Sequence, residues 1–214
     1  MQNKTEILRP ETTYHVYNRA NGSEKLFLSS DNYRYFLKKY QEYISPITDT
    51  FCYCLMPNHF HFLIRIKSED VLVEYFNSLQ SQSATYRGFK TLDGLAKQEA
   101  ISKLLNQQFS HFFNGYTQAF NKQNIRKGSL FMHPFKRKKI SDRNYLLKLV
   151  HYIHFNPVDA GLCDNIRNWP YSSYQLLISG TSFFLKKDEI IEWFNDKENF
   201  IYFHSQRRAN TEID

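Results

Sequence analysis

Two histidines one residue apart, His59 and His61 in "MPNHFHFLIRI", are the first pair in the chain with obvious chemical capacity. In an extended strand, residues two apart share a face. His59, His61, Leu63 and Arg65 then point one way, and Phe60, Phe62, Ile64 and Ile66 the other. The apolar set can pack beneath helices. The imidazoles sit opposite, with Cβ atoms roughly 6–7 Å apart, close enough to ligate one cation. The plain alternative is two histidines facing solvent on a half-exposed sheet. A tight metal site also takes a third protein ligand, so a chemical reading needs further groups from elsewhere.

Tyr152 is the second candidate. "DRNYLLKLVHYIHFNPVDAGL" predicts a helix from about Arg143, stopped by Asn156-Pro157 because proline disfavours helical geometry in the residue before it. At about 100° per residue, Leu146, Leu147, Leu149, Val150 and Ile153 share one arc and bury the helix. Tyr152 falls about 140° from the centre of that arc, with Asn156 one turn on and Tyr145 and Lys148 beside it. It is then an ordinary surface or interface ring, or one displayed for chemistry. Tyr116 in "NGYTQAFN" is a rival with Phe120, not an amide, four residues on. His151 and His154 flank Tyr152 and would complete a zinc-like four-histidine set with His59 and His61. Their wheel positions face away from Asn156, which favours packing or nucleic-acid contact.

The elements that must position these groups follow from periodicity. "TTYHVYNRA" alternates as a first strand ending at the turn signal Asn21-Gly22. "SSDNYRYFLKKYQEYI" offers an N-cap and then Tyr33, Phe36, Leu37, Tyr40 and Ile44 at helical spacing. "TDTFCYCLM" and "HFHFLIRIK" form a hairpin through Pro57-Asn58, and "SEDVLVEYFNSL" is a second helix. Strand, helix, hairpin, helix is most of a β-α-β-β-α-β sandwich. Gln80 to about Lys103 is polar and reads as an insertion or loose helical excursion. "LLNQQFSHFFNGYTQAFN" predicts a helix interrupted or ended near Gly115, and a strand around Ser129 to Lys138 completes the sheet.

Composition fits one main fold: 214 residues, 42% hydrophobic. A formal charge of +7 with 17% aromatic residues suits nucleic acid, where cations meet phosphates and rings stack on bases, although rings mostly fill cores. Cys52, Cys54 and Cys163 make no disulfide framework, which points to a reduced, cytoplasmic protein. "MQNKTEILRP" has no apolar leader core, and no stretch approaches the ~18 apolar residues of a membrane span. "KRKK", Lys136, Arg137, Lys138 and Lys139, with Arg126 and Lys127, reads as a phosphate-binding strip or equally as a solvated edge that blocks strand pairing. "NWPYSSY" reads as a structural cap.

"YHVYNRANGSEKLF", "MPNHFHFLI", "YIHFNPVDAGL" and "NWPYSSY", in this order, resemble the single-tyrosine HUH transposases, and within them the REP-associated tyrosine transposase group. The resemblance covers roughly Thr12 to Tyr174. It implies that His59 and His61 hold Mg²⁺ or Mn²⁺, that Asn156 is a further ligand or orienting group, and that Tyr152 is the nucleophile. It also implies DNA contacts by Arg19 and Asn21, a dimeric ferredoxin-like sandwich, and a prokaryotic, nucleoid-associated setting. An RNA-recognition module shares the topology, but its signature is approached only at Arg87-Gly88-Phe89 and fails at Lys90.

The expectation is therefore an α+β, ferredoxin-like domain over 1–178 with an antiparallel sheet and a helical insertion at about 80–121. A C-terminal extension over 179–214, helix then frayed tail, follows it. Its function would be metal-dependent cleavage and rejoining of hairpin-bearing single-stranded DNA through a 5′-phosphotyrosine. A non-catalytic binder of DNA or RNA hairpins is the alternative, and a histidine-zinc hydrolase a third reading.

Overall fold

The computed structural model describes residues 6–79, 94–180 and 184–206. The stretch read as a polar insertion lies partly outside them, as do Arg87-Gly88-Phe89 and the end of the tail. The elements run β1 (Thr13–Arg19), α1 (Ser30–Tyr43), β2 (Thr48–Met56), β3 (His59–Ile66), α2 (Glu69–Ser78), α3 (Gly94–Gln123), β4 (Lys136–Lys139), α4 (Arg143–Asp159), α5 (Tyr174–Ile178), α6 (Lys187–Trp193) and α7 (Lys197–Ser205). The four strands form one antiparallel sheet in the order β2-β3-β1-β4. A β-α-β-β-α-β chain takes that order when its crossovers leave β1 and β3 side by side.

Register divides the sheet into two unlike faces. Tyr14, Val16 and Asn18 oppose Ile64, Phe62 and Phe60, and this apolar face meets α1 and α3. Tyr40 stacks on Phe62 at 4.2 Å, Phe36 lies 5.3 Å from Phe60, and Phe60 lies 5.9 Å from Phe113. On the other face Tyr17 opposes His61, Arg19 opposes His59, and Cys54 pairs with His61 from the far side. Helix α4 covers that face.

The helix beside α1 over the sheet is α3, so the segment expected as an appended insertion supplies the second helix of the sandwich instead of the shorter α2. Nor does α3 end near Gly115. Phe109, Phe112, Phe113, Tyr116 and Phe120 repeat at helical spacing and are all buried, each contributing roughly 1.5–3 kcal/mol. A mid-helix glycine costs only about 1 kcal/mol, so burial carries the helix through it. The fourth strand is shorter than expected; upstream of it, Phe131 makes only an isolated bridge to Ala20.

Helix α4 also outlasts its expected stop, with Pro157 inside it. The sequence feature that licenses this is Gly161, at φ +66°. Leu162 N donates to Pro157 O at 2.9 Å and Gly161 N to Val158 O at 2.9 Å, the paired bonds of a Schellman cap.

"NWPYSSY" is stitched to the outer edge of β2. Leu55 N donates to Tyr171 O at 2.9 Å, Ser173 N to Tyr53 O at 3.0 Å, and Trp169 Nε1 to Leu55 O at 3.0 Å. The single helix expected in "DEIIEWFNDKENFIYF" is two. Asn195 at φ +73° breaks it, and Asp196 caps α7 by accepting from Asn199 N at 2.7 Å. Arg65, on the histidine face, holds α6 through Glu189 at 2.7 Å and β2 through Asp49 at 2.8 Å. Cys52 and Cys54 are buried and free.

Candidate functional site: a histidine face covered by a tyrosine helix

The β3 alternation places His59 and His61 side by side, ring centroids 5.1 Å apart and nearly perpendicular. His59 is half-buried, and its Nδ1–H donates to Asn58 Oδ1 at 2.7 Å, which leaves Nε2 as its lone-pair nitrogen. His61 is buried, and its Nδ1 shares a hydrogen with Nε2 of His15 at 2.9 Å. His61 Nε2 and His15 Nδ1 are buried without a hydrogen-bond partner. Burial drives the pKa of His61 well below the usual imidazole range, helped by the neighbouring His15 and His59, and takes His15 down to about 3. Both rings are neutral at physiological pH.

Tyr152 lies edge-on to this group, its ring 5.4 Å from His61 and 6.3 Å from His15. The helical wheel misplaced it: Tyr152 is 7% exposed and packs against the sheet. Helix α4 is wrapped on both sides, by the sheet and by C-terminal elements, so Leu149, Val150, His151, Ile153, His154 and Asn156 are buried with it. An arc of aliphatic residues marks one buried face and says nothing of a second. Asn156 donates from Nδ2 to Tyr152 O at 3.1 Å, leaving its Oδ1 as the atom a cation would take.

The rival groups fall elsewhere. Tyr116 is on the opposite side of the sheet, its hydroxyl donating to Leu26 O at 2.6 Å. His154 bonds through Nδ1 to His204 Nε2 at 3.0 Å and through Nε2 to Ser173 Oγ at 2.8 Å. His151 Nε2 meets Gln206 O at 3.1 Å. These histidines tie α4 to α5 and α7, away from His59. Among the described residues no three His, Cys, Asp or Glu side chains converge as a metal-binding group.

The basic residues divide sharply. Strand pairing sets Lys136 opposite Tyr17 and Lys138 opposite His15, on the histidine face. Lys136 Nζ lies 5.8 Å from the Tyr17 ring, and Lys138 donates to Tyr145 Oη at 3.0 Å. Arg19 is exposed beside His59, its Nε 2.9 Å from Met132 Sδ. Lys127 and Lys139 are exposed, although Lys139 projects from the opposite face. Arg137 is spent on Glu6 O and on Asn106 Oδ1 at 2.6 Å. Arg126 pairs with Glu24 and braces Gly128 O and Ser129 O, and Asn21 donates to Ser129 O and Phe131 O. The last three are fixtures of the loop and edge, not open phosphate ligands.

His15 and Tyr17 were missed from sequence. The alternation of "TYHVYNR" puts both on the non-apolar side of β1, and antiparallel pairing with β3 would have carried them to His61; that was the available signal.

The donor set passes a test of fit for a divalent cation. Two imidazoles and an amide oxygen are ligand types such an ion accepts, and His61 Nε2 is a buried polar atom that a cation would satisfy. Mg²⁺ and Mn²⁺ prefer oxygen, so the phosphate oxygens of a bound nucleic acid and water would supply the remaining positions.

The antiparallel four-stranded α+β sandwich is a fold that a solved structure shares. That structure, described as a REP-associated tyrosine transposase bound to a REP hairpin, matches at TM-score 0.50, covering 82% of this chain and 83% of that one at 15% identity. Sequence comparison finds a protein of similar description. A Haemophilus influenzae protein named for the REP-associated tyrosine transposases is 26% identical over 128 residues, 59% of this chain. The aligned region spans 58% of that relative's length. No family model matches the chain. The resemblance to the REP-associated tyrosine transposase group carried by the four motifs is thus met again in both comparisons.

Proposed function

We propose that this protein cleaves and rejoins hairpin-bearing single-stranded DNA, with Tyr152 as the nucleophile and His59, His61 and Asn156 as ligands of Mg²⁺ or Mn²⁺. The observation that carries the reading is the Tyr152 ring 5.4 Å from that of His61 within one chain, which supports a nucleophile acting in cis on the histidines of its own subunit.

A phenol, with an ordinary pKa near 10, is a weak nucleophile at neutral pH. When bound, the cation would supply Lewis acidity, drawing charge from the scissile phosphate and from the leaving 3′-oxygen. The protein's own residues do the rest. Tyr152 Oη forms a bond to phosphorus and gives up its proton, the P–O3′ bond breaks, and the 3′-oxygen takes up a proton. The products are a 5′-phosphotyrosine and a free 3′-hydroxyl, and attack by another 3′-hydroxyl reverses the chemistry with no energy source beyond the retained phosphodiester. Lys136 and Lys138 flank the histidine face where backbone phosphates would run, and Arg19 stands beside His59. Association as a homodimer and residence on chromosomal DNA belong to the same proposal; sedimentation with and without a hairpin oligonucleotide reads the first.

A specific observation favours a second reading, a non-catalytic hairpin binder: Tyr152 is 7% exposed, which leaves little of the residue open to a phosphate. The deciding experiment is a denaturing gel of protein with end-labelled hairpin DNA, with and without Mn²⁺, for the wild type, Tyr152→Phe and Tyr116→Phe. Metal-dependent label on the wild type and on Tyr116→Phe, but absent from Tyr152→Phe, is expected. No adduct on any hairpin that the protein binds would leave the binder.

A further inference from the structure

His15 lies on β1, outside the H-x-H pair, yet its Nε2 is 2.9 Å from Nδ1 of His61. The two rings are nearly coplanar, 19° apart with centroids at 5.1 Å, and Tyr17 stacks on His15 at 4.6 Å. His15 is 1% exposed, so this arrangement is built into the core of the face.

One proton occupies the bridge, and its location decides what His61 can do. If His15 Nε2 carries it, His61 Nδ1 is the acceptor and His61 Nε2 must bear a hydrogen. That nitrogen is then a buried donor without an acceptor and has no lone pair for a cation. If His61 Nδ1 carries it, His61 Nε2 presents a bare lone pair, and His15 Nε2 is the acceptor. The orphaned atoms are the same in both cases, His61 Nε2 and His15 Nδ1. Only the second case gives the His61 orphan a use, since an incoming cation satisfies it and removes the cost of burying an unpaired polar atom. An imidazole ligand whose other nitrogen donates to a fixed acceptor is the usual way a ring is oriented and its coordinating nitrogen chosen.

We propose that His15 is a positioning residue that holds His61 in its Nδ1–H tautomer and so aims the Nε2 lone pair of His61 at the cation. The inference rests on the reading of His61 as a metal ligand, but the tautomer is a property of the metal-free protein and is measured separately. Beside His59, whose Nδ1 is turned to Asn58 Oδ1, His61 would then offer the same nitrogen, Nε2.

The test uses the full chain with ¹⁵N-labelled histidines. Long-range ¹H–¹⁵N correlation reports which nitrogen of His61 bears hydrogen, and Mn²⁺ affinity is measured calorimetrically on the same samples. The expected result is a wild-type His61 in the Nδ1–H form. His15→Phe, which keeps a stacked ring and removes the acceptor, should lose that preference and weaken Mn²⁺ binding by about 10–100-fold. His15→Gln, whose amide oxygen reaches the position of Nε2, should restore most of it. A wild-type His61 in the Nε2–H form overturns the proposal whether or not His15→Phe folds. So does an unchanged tautomer and affinity in a folded His15→Phe. A tautomer that follows His15 in a protein that binds no Mn²⁺ would support the positioning role and sink the metal reading instead.

Discussion

Two pairs of histidines are buried in this molecule at nearly the same separation, and they are finished differently. In the His154–His204 pair, on α4 and α7, every ring nitrogen has a partner. His204 Nδ1 meets Phe200 O at 2.8 Å, the rings meet each other at 3.0 Å, and His154 Nε2 meets Ser173 Oγ, which also accepts from Tyr53 N at 2.9 Å. The chain of donors has a single consistent direction, because Phe200 O can only accept and so fixes the tautomer of each ring after it. In the His15–His61 pair the rings meet at 2.9 Å and then two nitrogens are left over. Buried polar groups are almost always satisfied within a fold. The pair that is closed behaves as a strut, and the pair that is open has the chemistry of a site. Both converge on α4, two residues apart at Tyr152 and His154, so the strut sets the register of the helix that carries the tyrosine.

That contrast can be broken in four ways, in descending order of effect. His61→Gln should remove the metal-dependent adduct: several kcal/mol of charge stabilisation would go, about a hundredfold or more in rate, while the melting temperature falls little. A comparable loss of adduct from His154→Gln per folded molecule would erase the distinction between the pairs.

Acid should come next, and it should act on the strut as well as on the open pair, whose rings burial also holds neutral. Burial depresses the pKa of His204 to about 3 and that of His154 well below its ordinary value, with neighbouring histidines adding to the effect. The unfolded chain therefore binds protons that the folded one refuses as pH falls below about 6.5, and stability drops with falling pH over that range. By about pH 5.5 each histidine costs roughly 1.4 kcal/mol, visible as a lower denaturation midpoint in urea. A midpoint that stays flat from pH 7.5 to 5.5 would show that these rings are not held neutral.

Ser173→Ala removes the donor to His154 Nε2 and the acceptor for Tyr53 N, and should cost about 1–3 kcal/mol in equilibrium unfolding without altering Mn²⁺ affinity. The smallest effect is expected at the edge of the open face. Lys136→Ala and Lys138→Ala should each reduce the slope of log affinity against log salt for hairpin DNA by about one. Arg126→Ala, whose guanidinium is paired with Glu24, should leave that slope unchanged and lower stability.

How much of this was legible beforehand differs along the chain. The alternation of β3 was readable because one face is apolar and the other is not, and the Asn21-Gly22 and Pro57-Asn58 turns marked where strands end. The wheel of α4 failed because Leu149, Val150 and Ile153 supply enough apolar surface to explain one buried side. Nothing local says that a sheet and a second set of helices will claim both sides. His15 is harder to read for a related reason: its partner is 46 residues away, and only the alternation of β1 taken together with its pairing to β3 brings the two rings to one place. In α3 a glycine was given more weight than five regularly spaced rings, although the energies favour the rings.

The seam along β2 bears on how the protein is made. Ser173 Oγ accepts from Tyr53 N across 120 residues of sequence, and Lys186 N reaches Thr50 O from still further along the chain. A ribosome adding about 5–20 residues per second needs roughly 6–24 s to deliver the first of these covers after β2 has emerged. Throughout that interval an apolar strand stands with one side unpaired, and crowded synthesis is when such a strand finds the wrong neighbour. Yield on overexpression should therefore track the speed of translation and the supply of chaperones more closely than it tracks the stability of the finished sheet.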